Sequence, residues 1–242
     1  MGYECLMAGL PELKAGGEAP MTMESLLLLL EENLSEKDKA LLDLLRMKSD
    51  APEISGLVER YDDSIIDQPD WWEDARNHLS ETDLRTQVLY EYGLKSKNKF
   101  VRAWFAYNQD MNNVLVATIC RKHGFDVRKM IVGQDEVAEI LRKNLQQKDF
   151  GLSGVMDDLQ EVMSLVDINN LMEREKRMDA LRFAWLDEAT LFVDFSIENV
   201  LAYYLQAEML NRWSLLTVEQ GEKVFRQLVA DMKKGVNLDA EA

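Results

Sequence analysis

An all-α fold is predicted by where this chain keeps its helix breakers and by the spacing of its apolar residues. All four prolines, at 11, 20, 52 and 69, lie in the first 69 residues of the 242. Glycine is absent from Val155 through Gln220. Phe100, Trp104, Tyr107, Met111, Val114, Leu115, Thr118 and Ile119 recur at helical spacing without interruption. Proline removes a helix donor and glycine loses the most backbone freedom on folding, so chain lacking both is free to run in long helices. The expected architecture is a bundle of long helices after a short N-terminal extended segment. An N-terminal helical region, 1–95, precedes a long-helix region, 96–242, in one continuous fold.

The opening, Tyr3–Lys14, is short, apolar and closed by Leu-Pro. It reads as one strand or as an extended lead-in, and periodicity does not separate the two over so few residues. Gly16-Gly17 marks a turn. A helix is expected over Met23–Asn33. Ser35 with Asp38 three residues on resembles a capping box and opens a second helix through Met47, with Ala40, Leu41, Leu44 and Leu45 as its apolar stripe. Pro52 and Pro69 bracket a weaker helix, Glu53–Ile66. A further helix is expected from near Asp70 to Tyr92, with Gly93 as its C-cap. The long pattern from Phe100 ends at Gly124, and at about 1.5 Å per residue that helix approaches 40 Å. Helices near Gln134–Gln147 and Val155–Leu165 follow. The stretch Asn169–Trp213 reads as two helices meeting near Asp194–Ser196. Thr217 with Gln220 opens a last helix striped by Val224, Phe225, Leu228, Val229 and Met232 and closed by Gly235. Residues 110–117 and 196–203 share Asn-Val-Leu, a faint internal echo that would fit a repeat or chance.

Composition narrows the function classes. Hydrophobic residues make up 47% and charged residues 30%, enough apolar material for a packed core. The net charge of −16, from 44 acidic and 28 basic residues, repels phosphate backbones and anionic lipid headgroups. Neither nucleic-acid binding nor membrane insertion is expected. Lys95, Lys97, Lys99 and Arg102 form a local basic run, read as a solvated loop and helix start. Leu26–Leu30 is far too short to span a bilayer. Met1–Leu6 carries no basic n-region and no myristoylation pattern, so a cytoplasmic protein is expected. Cys5 and Cys120 are too few for a disulfide framework, and Cys120 reads as a core residue.

No catalytic, metal or cofactor site is predicted. His78 and His123 stand outside any His-Glu-x-x-His, Glu-x-x-His or Cys-x-x-Cys pattern. His123, just before Gly124, suits a helix C-terminus. Phosphate-cradling glycine loops and a nucleophile elbow are absent. Asp62-Asp63, Asp157-Asp158 and Asp187-Glu188 are adjacent pairs, whose carboxylates diverge by about 100° on a helix. Asp194 and Glu198 would share a face at i, i+4, without a base or ligand to join them. In Trp71-Trp72 the two rings cannot both face one core. One is exposed as an interface anchor, or it covers a neighbouring helix.

Three segments carry a resemblance. Tyr3–Lys14 and Glu198–Val229, the latter with Ala202-Tyr-Tyr-Leu and Glu208-Met-Leu-Asn-Arg-Trp, are similar to a small bacterial family whose members accompany the subunits of V/A-type ATP synthases. Trp104–Asp126, with Asp110, Asn113 and Arg121-Lys-His-Gly, looks like the Asp-x-x-Asn, Arg-x-Lys/His-Gly helix of the C-type subunit of those motors, termed d-type in eukaryotic V-ATPases. The resemblance implies an all-helical, non-catalytic part on the cytoplasmic side of the membrane rotor ring, which receives the foot of the central axle. Axle and ring are the implied partners, and the protein is then peripheral to the inner membrane. The C-type subunit has three similar lobes, and this chain has room for about two. Trp71, Trp72, Asp110 and Asn113 are the candidate partner contacts. A free-standing helical adaptor or assembly factor is the alternative. A helical enzyme using Asp194 and Glu198 is the third reading.

Overall fold

The computed structural model describes residues 2–215, and among these the regular structure is entirely helical. The all-α expectation holds. The opening is neither strand nor wholly extended: Glu4–Gly9 forms a short helix, α1. Leu10, next to Pro11, turns extended at ψ 134°, as the ring of a following proline requires. The turn at Gly16-Gly17 is present, closed by Gly17 N–H donating to Lys14 O at 2.9 Å.

Helix α2 spans Met23–Asn33 and α3 spans Glu36–Arg46. Ser35 caps α3 reciprocally, its Oγ accepting from Asp38 N at 3.3 Å and donating to Asp38 Oδ2 at 2.6 Å. The buried stripe of α3 is Leu42 and Leu45, flanked by half-buried Leu41 and Leu44, while Ala40 is exposed. Helix α4 runs Pro52–Asp63 with its proline at the first turn, where no donor is lost.

The single helix expected from Asp70 to Tyr92 is two: α5, Trp72–His78, and α6, Glu81–Leu94. Ser80 breaks them, its hydroxyl accepting from Asp83 N at 3.2 Å. A second Ser-x-x-Asp capping box thus sits inside an otherwise helical run. Gly93 lies within α6 rather than capping it; a Cβ there would collide with the Phe105 ring.

Helix α7, Lys99–His123, is the expected long helix at 25 residues. Asn98 caps its start, accepting from Val101 N at 3.0 Å. Gly124 ends it at φ +71°, and Phe125 N–H returns to Cys120 O at 3.0 Å, a Schellman closure. A 3-10 turn over Val127–Lys129 leads to α8, Glu136–Lys143. Helix α9, Leu159–Ser164, starts later than expected, after turns that include Gly154 at φ +81°. Helices α10, Leu171–Thr190, and α11, Ile197–Leu215, meet at the expected place. The last expected helix, Thr217–Gly235, lies outside the described residues.

Two compact units result, and they do not divide at residue 95. Residues 34–185 form the larger, in which α7 packs against α6, α8 and α9. One apolar cluster there joins Met111, Val114, Ala117 and Cys120 of α7 to Leu141, Phe150, Leu152 and Leu159. Another joins Ile54, Val58 and Tyr61 to Trp72, Leu84 and Val88. The other unit combines residues 1–33 with the chain from Leu186 onward. Its described core pairs Leu26 and Leu30 of α2 with α11, which is buried on nearly every side between Val200 and Leu210. Tyr203 Oη donates to Pro11 O at 3.0 Å and Asn211 Nδ2 to Met21 O at 3.1 Å, tying α11 to the N-terminal segment. In these described parts the two units differ in helix number and order, so similar lobes are not seen. The echo fails likewise. Asn113 bonds a distant loop, whereas Asn199 accepts from Ser196 N at 3.2 Å at the start of its own helix. Among the described residues no helix is long and apolar enough to cross a membrane.

Candidate functional site

The densest polar chemistry in the larger unit is a buried staple that fixes the loop Ile131–Asp135 to α6, α7 and α8. Gln87 of α6 and Gln109 and Asn113 of α7 are all buried. Asn113 holds Val132 at both ends: its Nδ2 donates to Val132 O at 2.7 Å and its Oδ1 accepts from Val132 N at 3.1 Å. Gln87 Oε1 accepts from Gly133 N at 3.1 Å. Gln109 Nε2 donates to Asp135 Oδ2, whose other oxygen caps α8 by accepting from Ala138 N at 2.9 Å. Arg142 of α8 donates to Gly133 O at 2.7 Å and Ile131 O at 3.1 Å. Buried loop backbone must find partners, and here side chains supply them.

Gly133 is required at this point. Its φ is +88°, and a Cβ would collide with Gln109 Nε2 and lie 2.8 Å from Asp135 Oδ2. Nε2 of Gln87 and Oε1 of Gln109 are buried without a partner, a cost accepted where the other half of each amide is used. Electrostatics sharpen the site. Burial, with repulsion from Asp135 added, pushes the Asp110 carboxyl up to about 7. Glu91 is raised by burial too, Lys95 opposing and Asp135 adding. Burial lowers the Arg142 guanidinium. The arrangement positions a loop and holds one carboxyl that gains or loses a proton near neutrality. Among the described residues no three or more His, Cys, Asp or Glu side chains are grouped to hold a metal ion.

Residues 57–236 match the family described as "Protein of unknown function (DUF2764)". The chain belongs to that family. No curated protein and no solved structure matches it. The matched span contains the whole staple and leaves out the N-terminal segment Tyr3–Lys14.

The four candidate contacts separate in this geometry. Trp72 is only 2% exposed and packs edge-on to Tyr61 at 5.1 Å, so it is a core ring and not a surface anchor. Trp71, half-buried, packs edge-on to the same tyrosine at 6.4 Å and against the same apolar cluster, so the two rings do share one core, contrary to the expectation that they cannot. Asn113 is buried and both ends of its amide are used. Asp110 alone of α7's pair keeps some exposure. The Arg121-Lys122-His123-Gly124 motif is also internal in its bonding. Arg121 Cζ stands 4.2 Å over the Phe150 ring, and its Nη1 donates to Gln147 O at 2.8 Å. Lys122 pairs with Asp167 at 2.9 Å, and the His123 ring stacks on Phe125. Asp194 precedes α11 in a loop, so it and Glu198 do not share a helical face.

A second tie on α7 had no sequence signal. Arg182 Nε donates to Asn108 Oδ1 at 2.8 Å and its Nη1 pairs with Asp179 at 3.1 Å, a largely buried ion pair. Trp185 stacks on Tyr107 at 5.1 Å, and Tyr107 Oη donates to Asp158 Oδ2 at 2.6 Å. Burial and this bond raise the phenol well above its ordinary range.

Proposed function

We propose that this chain is a non-catalytic component of a rotary V/A-type ATP synthase, similar to the C-type (d-type) subunit, that couples the central axle to the membrane rotor ring. The observation that carries the reading is α7. It bears Asp110, Asn113 and Arg121–His123 of the resemblance, with Gly124 just past its end, and it is an unbroken helix of 25 residues. Its neighbours are tied to it by Gln109–Asp135, Asn113–Val132, Arg121–Gln147 and Lys122–Asp167. A part that carries torque needs stiffness, and a long helix cross-linked to separate segments along its length supplies it. The residues in common with the C-type subunit act within the fold, so they support a shared helical build more than a shared contact surface.

Affinity purification of the tagged chain from its native membranes tests the proposal. Axle and ring subunits should be retained in fixed stoichiometry. Their absence, under conditions that keep the motor intact, would overturn it. An adaptor or assembly factor is the second reading, favoured by the exposed apolar loop between α10 and α11. Recovery of only unassembled motor subunits would support that one.

A further inference from the structure

The loop between α10 and α11 inverts the usual placement of side chains. Leu191 is 65% exposed, Phe192 is 91% exposed, and Phe195 is 46% exposed. Single exposed apolar residues need no explanation, but several in one short loop mark a contact surface. The backbone beneath is not slack. Phe195 has φ +55°, a left-handed conformation that is an outlier for an aromatic residue, and its carbonyl accepts from Tyr3 N at 2.7 Å. Val193 N–H closes a turn onto Thr190 O at 3.2 Å, and Ser196 and Asn199 cap the helix that follows. Strain maintained on a bonded loop presents the rings rather than tucking them in.

Charge states what such a loop fits. Between Arg182 and Arg212 the chain carries Asp187, Glu188, Asp194, Glu198 and Glu208, and no Lys, Arg or His. Glu188 and Asp194 are exposed beside the apolar residues. We propose that Leu191–Phe195 is a docking knob for a protein partner presenting an apolar groove or helix face rimmed by Lys and Arg. The acidic rim disfavours anionic lipid, and the chain's net charge of −16 disfavours a second copy. The loop's chemistry carries this independently of the rotary-motor reading, and α7 plays no part in it.

Two synthetic amphipathic helices with the same leucine face, one rimmed by lysine and one by glutamate, provide the probe. Fluorescence anisotropy with the full chain should show the lysine peptide binding more tightly by at least about tenfold. The double variant Leu191→Ser, Phe192→Ser should weaken that binding by about tenfold or more, with an unchanged circular dichroism spectrum. Glu188→Gln with Asp194→Asn should weaken it less and flatten its salt dependence. Unaltered affinity in the serine variant would reduce the effect to general attraction to an acidic chain and overturn the proposal. So would sedimentation with phosphatidylcholine vesicles, or a dimer dispersed by Phe192→Ser. A photo-cross-linker at position 192 that reaches the same chain beyond residue 215 would overturn it too, by showing the knob already covered. Failure of motor co-purification leaves these outcomes untouched, so the two proposals fail separately.

Discussion

Phe150 and Phe195 share one backbone conformation, φ +55°, and have opposite surroundings. Phe150, in the larger unit, is fully buried beneath the Arg121 guanidinium, in the apolar cluster with Leu152 and Leu159. Phe195, in the other unit, leaves 46% of its surface in water. A left-handed aromatic residue costs on the order of 1–3 kcal/mol. Burial of the ring, worth about 1.5–3 kcal/mol, offsets that at Phe150. At Phe195 roughly half of it is available. The same strain is therefore outweighed by packing in one place and no more than balanced in the other. The comparison separates residues that hold the fold from residues that the fold holds out.

Replacing both rings by asparagine breaks the comparison most directly, because asparagine tolerates the left-handed region and removes the strain equally. Phe150→Asn should lose the ring's packing and bury an amide among apolar side chains, costing about 3–5 kcal/mol in chemical denaturation. Arg121 would lose its stacking face, and helix α7 one of its anchors. A cost below about 1 kcal/mol would mean the cluster collapses around the gap and Phe150 is no anchor.

The polar staple gives a middle-sized effect with a pH signature. The Asp110 carboxyl titrates at about 7 in the folded chain, raised by burial and by Asp135. An unfolded aspartate titrates near about 4. Between those values the folded chain holds a proton the unfolded chain has released, so this group's contribution is complete at low pH and is lost as pH rises through about 7. Asp110→Asn, which cannot ionise, should be more stable than the parent by about 1–2 kcal/mol at alkaline pH and nearly equal to it in acid. Because Asp110 is partly exposed, solvent keeps the effect below the full shift. A difference that stays constant with pH would refute the assignment.

Much of the fold is legible because helix ends are local. Ser35-x-x-Asp38 and Gly124 act over three or four residues, and the start of α3 and the end of α7 follow from them. The break at Ser80 is equally local, but its capping box lies inside a run without proline or glycine that reads as one continuous helix. The site is less legible. Asn113 stands out in the sequence, yet only the return of Val132 after a turn makes it a staple and not a contact. Gln87 and Gln109 carry no pattern, since their meeting depends on how α6 packs on α7. Trp71 and Trp72 both reach the Tyr61 cluster because α5 begins between them, with Trp71 at its N-cap. The Leu191–Phe195 run lies at the junction the sequence places between two helices; its exposure depends on the turns between α10 and α11.

The smallest expected effect is the most discriminating. Phe195→Asn gains the same relief of strain as the change at 150, on the order of 1 kcal/mol. It gives up only a ring that is 46% exposed, also worth about 1 kcal/mol. The two nearly cancel, so stability should move by less than about 1 kcal/mol in either direction in urea unfolding. The bond from Tyr3 N to the carbonyl at 195 is independent of the side chain and should persist, with the amide of Tyr3 still protected from exchange. A loss approaching that at Phe150 would show that the ring is an anchor in solution and that the loop is closed over it. Near-neutrality, with Tyr3 still protected, would leave the aromatic residue at 195 without a stabilising role, which is what a side chain held for a partner requires.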